Sequence, residues 1–316
     1  MKRFDSIRPY TDSEVQTVLQ QLSTNSDVVR AFISATKFSF LTKIPCSSWI
    51  VSKILQAKIK NIHTIKDYQS IFENLVSNMI DTKTSGFACD GFENIKPNKS
   101  YLYISNHRDI AVDPALLNFM LHQNNFKTTN IAVGNNLMSE AWASDLMRLN
   151  KSFIIDRTGK SKREIYQGLN LASEYIEDSI LEKNEPIWIA QKQGRAKDGI
   201  DRTDPALLKM IHLINRKSIP ISDYFNSLCF IPVSVSYEFD PNDLFKANEL
   251  YAIKMHQKYI KTDKEDLNSI ANGISGQKGL VNLNIGSPIN FTDNSYEACA
   301  QLISRSILDL YQLQPS

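Results

Sequence analysis

Short apolar segments alternate with helical patterns from about residue 85 onwards, and this alternation constrains the fold more than any other feature of the sequence. The apolar segments are YLYIS (101–105), NIAVG (130–134), SFIID (152–156), PIWIA (186–190), FIPVSVSY (230–237) and GLVNLNIG (279–286). Helix-period patterns occupy roughly 114–123, 137–148, 160–182, 204–216 and 294–312. Buried strands alternating with helices predict an α/β fold, with a mixed, largely parallel sheet and helices on both faces.

Residues 1–84 have a different pattern, which predicts helices separated by short polar breaks. Asp12 is the predicted N-cap of the first helix, and further helices begin near Ser26, Ser47 and Thr64. The sequence therefore divides into an N-terminal helical region, 1–84, and an α/β domain, 85–316.

Charge and cysteine content exclude several classes of function. The net charge of +2 gives no broad basic field for nucleic acid. The four cysteines form no Cys-x-x-Cys pair, so the sequence predicts no metal site and fits a reducing cytoplasm. No apolar stretch approaches the length of a membrane span, and the first residues contain no secretory signal. We expect a cytoplasmic protein, either soluble or peripherally attached to the inner face of the membrane.

Two motifs suggest nucleotide chemistry but lack its required residues. The His-Arg-Asp in ISNHRDIAVDP (104–114) would need an Asn five residues after Asp109 to serve as a kinase catalytic loop, and that position is Pro114. The segment FIIDRTGKSKRE would need Gly at position 154 to form a P-loop, and that position is Ile154. Neither motif predicts a nucleotide site.

Polar residues follow three of the predicted strands. His107 follows 101–105, Arg157 follows 152–156, and the loop QKQGRAKDG follows 186–190. Because ligands of open α/β sheets bind at the carboxyl ends of strands, these residues are predicted to share one crevice. Asp113 and Pro114 are predicted as N-cap and first residue of the next helix, and Asp113 is either only a cap or also a partner for His107.

At these positions the sequence resembles the glycerolipid acyltransferases related to 1-acylglycerol-3-phosphate acyltransferase. Four ordered blocks carry the resemblance: Asn106-His107 with Asp113-Pro114, FIIDR ending in Arg157, QGRAK (193–197), and FIPVSVS around Pro232. The resemblance implies His107 and Asp113 as catalytic residues. It also implies substrate-binding residues, which we assign to Asn106, Arg108, Arg157, Gln193, Gly194, Arg195 and Lys197. It implies acyl-CoA or acyl-acyl carrier protein as co-substrate, a lysophospholipid acceptor, and no separate cofactor.

Two departures from the family pattern keep alternatives open. Five residues rather than four separate His107 from Asp113, which leaves Asp109 as the alternative carboxylate. Gln193 replaces the family's Glu, and a neutral side chain there leaves the acceptor open. The alternatives are an acyltransferase acting on glycerol-3-phosphate or an amino-acid lipid, and a phospholipid-binding relative without turnover.

A thioester donor is already activated, so the reaction requires only that a base remove the proton of the acceptor hydroxyl. Neutral His107 fits that role, with Asp113 fixing its tautomer. No G-x-S-x-G motif supplies a nucleophilic serine. The sequence therefore predicts direct transfer without an acyl-enzyme.

The third predicted helix, from Ser47 to about Ile62, could contact a lipid surface. Its apolar residues lie broadly on one side, with lysines elsewhere: Trp49, Ile50, Ile54, Ile59 and Ile62 against Lys53, Lys58 and Lys60. A basic amphipathic helix with Trp is typical of an anionic membrane interface, and packing against the α/β domain is the alternative.

Overall fold

The computed structural model describes residues 3–35, 47–135, 140–262 and 264–315. The strands are β1 (Thr84–Asp90), β2 (Leu102–Ser105), β3 (Asn130–Gly134), β4 (Ser152–Ile155), β5 (Ile187–Ala190), β6 (Phe230–Tyr237) and β7 (Gly279–Ile285). The helices are α1 (Asp12–Thr24), α2 (Ser26–Ala35), α3 (Ser47–Ile59), α4 (Ile65–Lys83), α5 (Val112–Gln123), α6 (Ala141–Leu149), α7 (Lys162–Glu177), α8 (Pro205–Ile211), α9 (Ile221–Leu228), α10 (Asp243–His256), α11 (Glu265–Ser275) and α12 (Tyr296–Asp309).

The strands form one sheet in the order β1-β7-β6-β2-β5-β3-β4. Every neighbouring pair is parallel except β6 and β7, which are antiparallel. The predicted mixed, largely parallel sheet is confirmed. Because β6, β2, β5, β3 and β4 run in one direction, the residues that follow them leave the sheet at the same edge.

Alternate residues of β2 point to opposite faces of the sheet, and each face carries its own core. Leu102 and Ile104 belong to a core shared with α7, α8, α9 and α12. Tyr101 and Tyr103 belong to a second core shared with α4 and α5. The predicted placement of helices on both faces is therefore confirmed.

The N-terminal region is helical as predicted, with small differences at the helix ends. Thr11, not Asp12, is the N-cap of α1, where its side chain and that of Glu14 form a capping box. The prediction was one residue late because Asp12 instead accepts a hydrogen bond from the backbone N–H of Ile65, at the start of α4. The helix predicted to run to about Ile62 ends at Ile59.

The N-terminal region shares its cores with the sheet. Ile7 lies in the core beneath β2, and its carbonyl accepts a hydrogen bond of 2.9 Å from the backbone N–H of Ile154 on β4. Val76 and Met79 of α4 lie in the other core. The division into 1–84 and 85–316 stays a prediction about the sequence, and the two parts are packed together.

Strand β1 was not predicted. Its sequence, TSGFACD, contains no apolar run, and it pairs in parallel with β7 at the edge of the sheet. It follows α4 without an intervening loop, at the place where the sequence predicted a boundary. In the described parts of the chain, no helix has both the length and the apolar character needed to cross a bilayer.

Candidate active site

Asn106 fixes the direction in which the chain leaves β2. Its side chain is fully buried and forms two hydrogen bonds with the backbone of Val235 on β6. It accepts from the N–H at 2.8 Å and donates to the carbonyl at 2.9 Å. The amide therefore extends the pairing of β2 with β6 by one residue. In this position Asn106 holds the loop rather than offering a free amide to substrate.

His107 is the next residue and contacts Asp113. Its Nδ1 lies 2.9 Å from Asp113 Oδ2, and the side chains are 12% and 1% exposed respectively. The backbone N–H groups of Arg108 and Asp109 donate to the same Oδ2, at 2.7 and 2.9 Å. The ring also contacts Trp188 edge-on, at 5.6 Å between centroids.

These contacts determine which ring nitrogen of His107 is left free to accept a proton. The carboxylate is an acceptor, so the Nδ1 of neutral His107 carries the proton and Nε2 keeps its lone pair. Nε2 has no hydrogen-bond partner among the residues that the structure describes. The arrangement therefore presents a proton acceptor at the carboxyl edge of β2.

Tyr237 completes the surroundings of Asp113. Its hydroxyl donates to Asp113 Oδ1 at 2.7 Å. Burial, reinforced by the charge of Asp113, raises the pKa of Tyr237 well above its ordinary value, so the hydroxyl stays a donor. Tyr237 was not among the predicted site residues, although its place at the end of the strand around Pro232 could have indicated it.

The two aspartates of this loop have different contacts. Helix α5 begins at Val112 with Ala111 as N-cap, so the prediction of Asp113 as N-cap and Pro114 as first helical residue is wrong by two positions. Asp109 takes the capping part: its Oδ1 accepts from the N–H groups of Ala111 and Val112, at 3.0 and 2.9 Å. Asp113 is thereby left to contact His107.

Asp109 is a buried carboxylate at the start of α5. It is 4% exposed, and its Oδ2 lies 3.4 Å from the side-chain nitrogen of Asn242. Burial, and next the charge of Asp113, raises the pKa of Asp109, while the two helix N–H groups and Arg195 act in the opposite direction. Because the net shift is upward, the ionised carboxylate destabilises the folded state at neutral pH.

We expect Asp109→Asn to increase stability at neutral pH. An acid whose pKa is raised by folding contributes stability below its unfolded pKa of about 3.9, and this contribution is lost as the pH rises through the folded pKa. The Asn side chain keeps an oxygen for the two helix N–H groups and has no charge to bury. The gain in thermal midpoint over wild type should therefore be larger at pH 8 than at pH 4.

The control for this experiment is Asp81→Asn, which alters an exposed aspartate of α4. In this variant, the difference between the thermal midpoints at pH 8 and pH 4 should be the same as in wild type. A gain from Asp109→Asn that is equal at both pH values would contradict the assignment.

The loop after β5 connects the two other predicted strand ends. The N–H of Ala196 donates to the carbonyl of His107 at 2.8 Å. Arg157, after β4, donates from Nη1 to Gln193 Oε1 at 2.6 Å. The loop from 191 to 199 therefore bridges the His107 turn and Arg157. Gly194 lies at its exposed tip with φ of +75°, a conformation that favours glycine.

The predicted substrate-binding cations have different surroundings. Arg108 is paired with Asp201 at 2.6 Å, and Lys197 is paired with Glu249. Arg195 is 9% exposed and donates to Ser269 at 3.1 Å. Arg157 is half-buried, and no carboxylate among the described residues lies within ion-pair distance of it. Burial lowers the pKa of its guanidinium. Of these cations, Arg157 is best placed to receive an anionic ligand.

In the ranges that the structure describes, no group of three His, Cys, Asp or Glu side chains is arranged to hold a metal ion. The polar groups of the site are instead used in contacts with one another. The arrangement offers a proton acceptor held by a carboxylate, next to a loop that reaches an arginine.

Comparison with known families finds a match in this region. Residues 86–199 match the family model described as Acyltransferase. The match extends from β1 to the loop after β5 and includes His107, Asp113, Arg157 and Gln193. The resemblance predicted from the ordered blocks is thus confirmed at the level of the acyltransferase family.

Among curated proteins, none matches the chain. One similar solved structure is the 1-acyl-sn-glycerophosphate (LPA) acyltransferase PlsC from Thermotoga maritima, with 12% identity, 95% of this chain and 100% of that chain covered, and a TM-score of 0.47. Another is the cell division protein FtsY from the same organism, with 12% identity, coverage of 94% and 91%, and a TM-score of 0.26.

Proposed function

We propose, from the match of residues 86–199 to the family model described as Acyltransferase, that the chain transfers a fatty acyl group to the hydroxyl of a lysophospholipid. The proposed donor is acyl-CoA or acyl-acyl carrier protein, and 1-acylglycerol-3-phosphate is the first acceptor to test. The contact between His107 and Asp113 carries the proposal, because it leaves Nε2 as an acceptor at the edge of the sheet.

The transfer proceeds in one ternary complex. Nε2 of His107 takes the proton of the acceptor hydroxyl as the oxygen attacks the thioester carbonyl, and Asp113 stabilises the imidazolium that forms. When the carbon–sulfur bond breaks, the same Nε2 returns its proton to the leaving thiolate. General-base help of this kind contributes about 10²–10⁴-fold, and the placement of both substrates contributes much of the rest.

Arg157 is the proposed contact for the anionic head of the acceptor. A guanidinium binds two phosphate oxygens at once, and that of Arg157 is bonded to a neutral amide rather than to a carboxylate. The amide of Gln193 orients the guanidinium without neutralising it. A Glu at this position would instead form an ion pair with Arg157 and compete with the phosphate.

Purified protein assayed with labelled acyl donors against a panel of lysophospholipids, glycerol-3-phosphate and amino-acid lipids tests the proposal. We expect acylated product with lysophosphatidic acid and no covalently acylated protein in a single turnover. If product formed only with glycerol-3-phosphate or only with an amino-acid lipid, the function would be acyl transfer to that acceptor instead. Acceptor binding without product from any donor would indicate a phospholipid-binding relative.

We expect Arg157→Ala to raise KM for a phosphate-bearing acceptor by about tenfold or more, since a charge-assisted hydrogen bond contributes about 1.5–3 kcal/mol. The effect on kcat should be smaller, because the phosphate is remote from the reacting oxygen. Steady-state kinetics with varied acceptor measure both constants. Arg202→Ala, which removes an exposed arginine from the segment between β5 and α8, is the control and should behave as wild type. An unchanged KM in Arg157→Ala would remove this residue from the acceptor site.

We also propose that the protein works at the inner surface of a membrane. In α3, Trp49, Ile50 and Ile54 are 66%, 51% and 47% exposed. Ile62 is buried, and Ile59 packs partly against the same core. Only the first part of the predicted apolar side is therefore available to lipid, and Trp49 and Ile54 are the residues to change in a binding test.

A further inference from the structure

Helix α10 has an unusual polarity, with charged side chains facing the protein. Lys246 is 5% exposed, donates from Nζ to the carbonyl of Arg108 at 2.7 Å and also contacts Asp240. One turn later, Glu249 is paired with Lys197 in the loop after β5. The inner side of α10 is thus bonded to both loops that shape the candidate active site.

The opposite side of α10 faces outward and carries three large apolar side chains, with the exposed Asn248 among them. Leu244, Tyr251 and Met255 are 74%, 63% and 57% exposed. Steps of seven and four residues place these three side chains on one face of the helix, which we name the α10 face. A surface helix normally buries its apolar face and exposes its charges. An exposed apolar face of this kind is typical of a surface that contacts a membrane or another protein.

The charges around the α10 face indicate what covers it. Lys254 is exposed on the same helix, and Lys258 and Lys264 are exposed in the segment that follows. Of the acidic residues nearby, Glu249 is turned inward to Lys197 and Asp266 is paired with Lys261, while Asp243 is exposed in the first turn of α10. Apolar side chains bordered by lysines complement an anionic lipid surface, in which rings and aliphatic groups enter the interface and ammonium groups meet the head groups.

We propose that α10 lies in the interface of an anionic bilayer through Leu244, Tyr251 and Met255. This proposal rests on the proposed function in one respect, since a lysophospholipid acceptor is located in a membrane. The geometry supplies the connection: the helix that contacts lipid on one side is bonded on the other to the carbonyl of Arg108, next to His107. A lysophospholipid leaving the bilayer beside α10 would meet the His107 loop first.

The test is sedimentation with vesicles of phosphatidylglycerol and, separately, of phosphatidylcholine. The triple variant Leu244→Ser, Tyr251→Ser, Met255→Ser removes apolar surface at constant charge. Burying one such side chain is worth about 1.5 kcal/mol or more, so the partition coefficient should fall at least about tenfold on phosphatidylglycerol. Wild type should bind phosphatidylcholine more weakly, and Lys254→Gln with Lys258→Gln should lower binding to phosphatidylglycerol only.

The matched control changes three other exposed leucines, Leu302→Ser, Leu308→Ser and Leu313→Ser, which are 40%, 64% and 85% exposed. It should bind vesicles as wild type does. A second comparison, Trp49→Ser with Ile54→Ser, tests α3 separately. Circular dichroism and thermal midpoints establish that each variant is folded, as expected for substitutions of exposed side chains.

The proposal is overturned if the α10 variant binds phosphatidylglycerol as wild type does, whether α3 or the control leucines carry the binding. The proposal would also be overturned if the α10 variant bound vesicles as wild type does but no longer bound an acyl carrier protein. The α10 face would then be assigned to the acyl donor. Sedimentation needs no turnover, so a failure of the proposed function does not affect this result. Where the enzyme is active, acylation of a dispersed short-chain acceptor should be unchanged in the α10 variant, while acylation of a vesicle-borne acceptor falls.

Discussion

Replacing His107 by alanine is expected to lower kcat/KM for acyl transfer by about 10²–10⁴-fold. The substitution removes Nε2, the unbonded ring nitrogen of His107 at the end of β2, so the acceptor hydroxyl loses its base. Binding of the acyl donor should be retained, since the loop after β5 is held to residue 107 through the carbonyl oxygen of that residue, which alanine keeps. Initial rates with labelled donor, together with donor binding by calorimetry, separate these effects.

His122→Ala is the matched control for this variant. His122 lies in the last turn of α5, and 46% of its side chain is exposed beside Glu73. Its loss should leave the rate within about a factor of two, as for a weak surface pair. If His107→Ala turned over at a wild-type rate, a different group would have to act as base and the mechanism would be wrong.

The second large effect concerns Asp113, for which two substitutions separate catalysis from stability. In Asp113→Asn, the amide oxygen replaces Oδ2 as acceptor for His107 and for the two loop N–H groups, and the amide nitrogen faces Tyr237, whose hydroxyl turns to accept. The fold should therefore be kept. The imidazolium formed in the reaction loses its counter-charge, and the rate should fall by about 10²–10⁴-fold.

Asp113→Ala should be destabilising as well as slow. It leaves four donors without their acceptor: the Nδ1–H of His107, the N–H groups of Arg108 and Asp109, and the hydroxyl of Tyr237. Each buried unpaired group costs about 1–3 kcal/mol, so the loss in free energy of unfolding should reach at least about 3 kcal/mol. Urea denaturation of both variants measures it. Equal stability of the Asn and Ala variants would show that these hydrogen bonds contribute little.

Much of the site was predictable because strand ends are readable from the sequence. Once 101–105, 152–156 and 186–190 are taken as parallel strands of one sheet, His107, Arg157 and Gln193 must leave the sheet at one edge, although β3 lies between β5 and β4. The observed bonds from Ala196 to His107 and from Arg157 to Gln193 join those three loops. This prediction required only the order of strands and helices along the chain, and not the residues at which each helix begins or ends.

The remainder depended on contacts between distant segments. Two aspartates four residues apart can each cap α5 or receive His107, and only the position of Tyr237 and the loop N–H groups distinguishes them. Strand β1 has no apolar run because it is an edge strand with half-exposed side chains. Helix α10 was not predicted from the sequence. Its apolar residues face away from the core, whereas the pattern that identifies a surface helix places them toward the core.

The pairing of the first strand with the last has a consequence for how the protein is made. Because β1 pairs with β7, residues 84–90 cannot join the sheet until residues 279–285 are present. Contacts between such distant parts of a chain slow folding. During synthesis β1 stays unpaired until the residues of β7 have left the ribosome, and a chain stopped before residue 279 leaves a strand edge open to pairing with other chains.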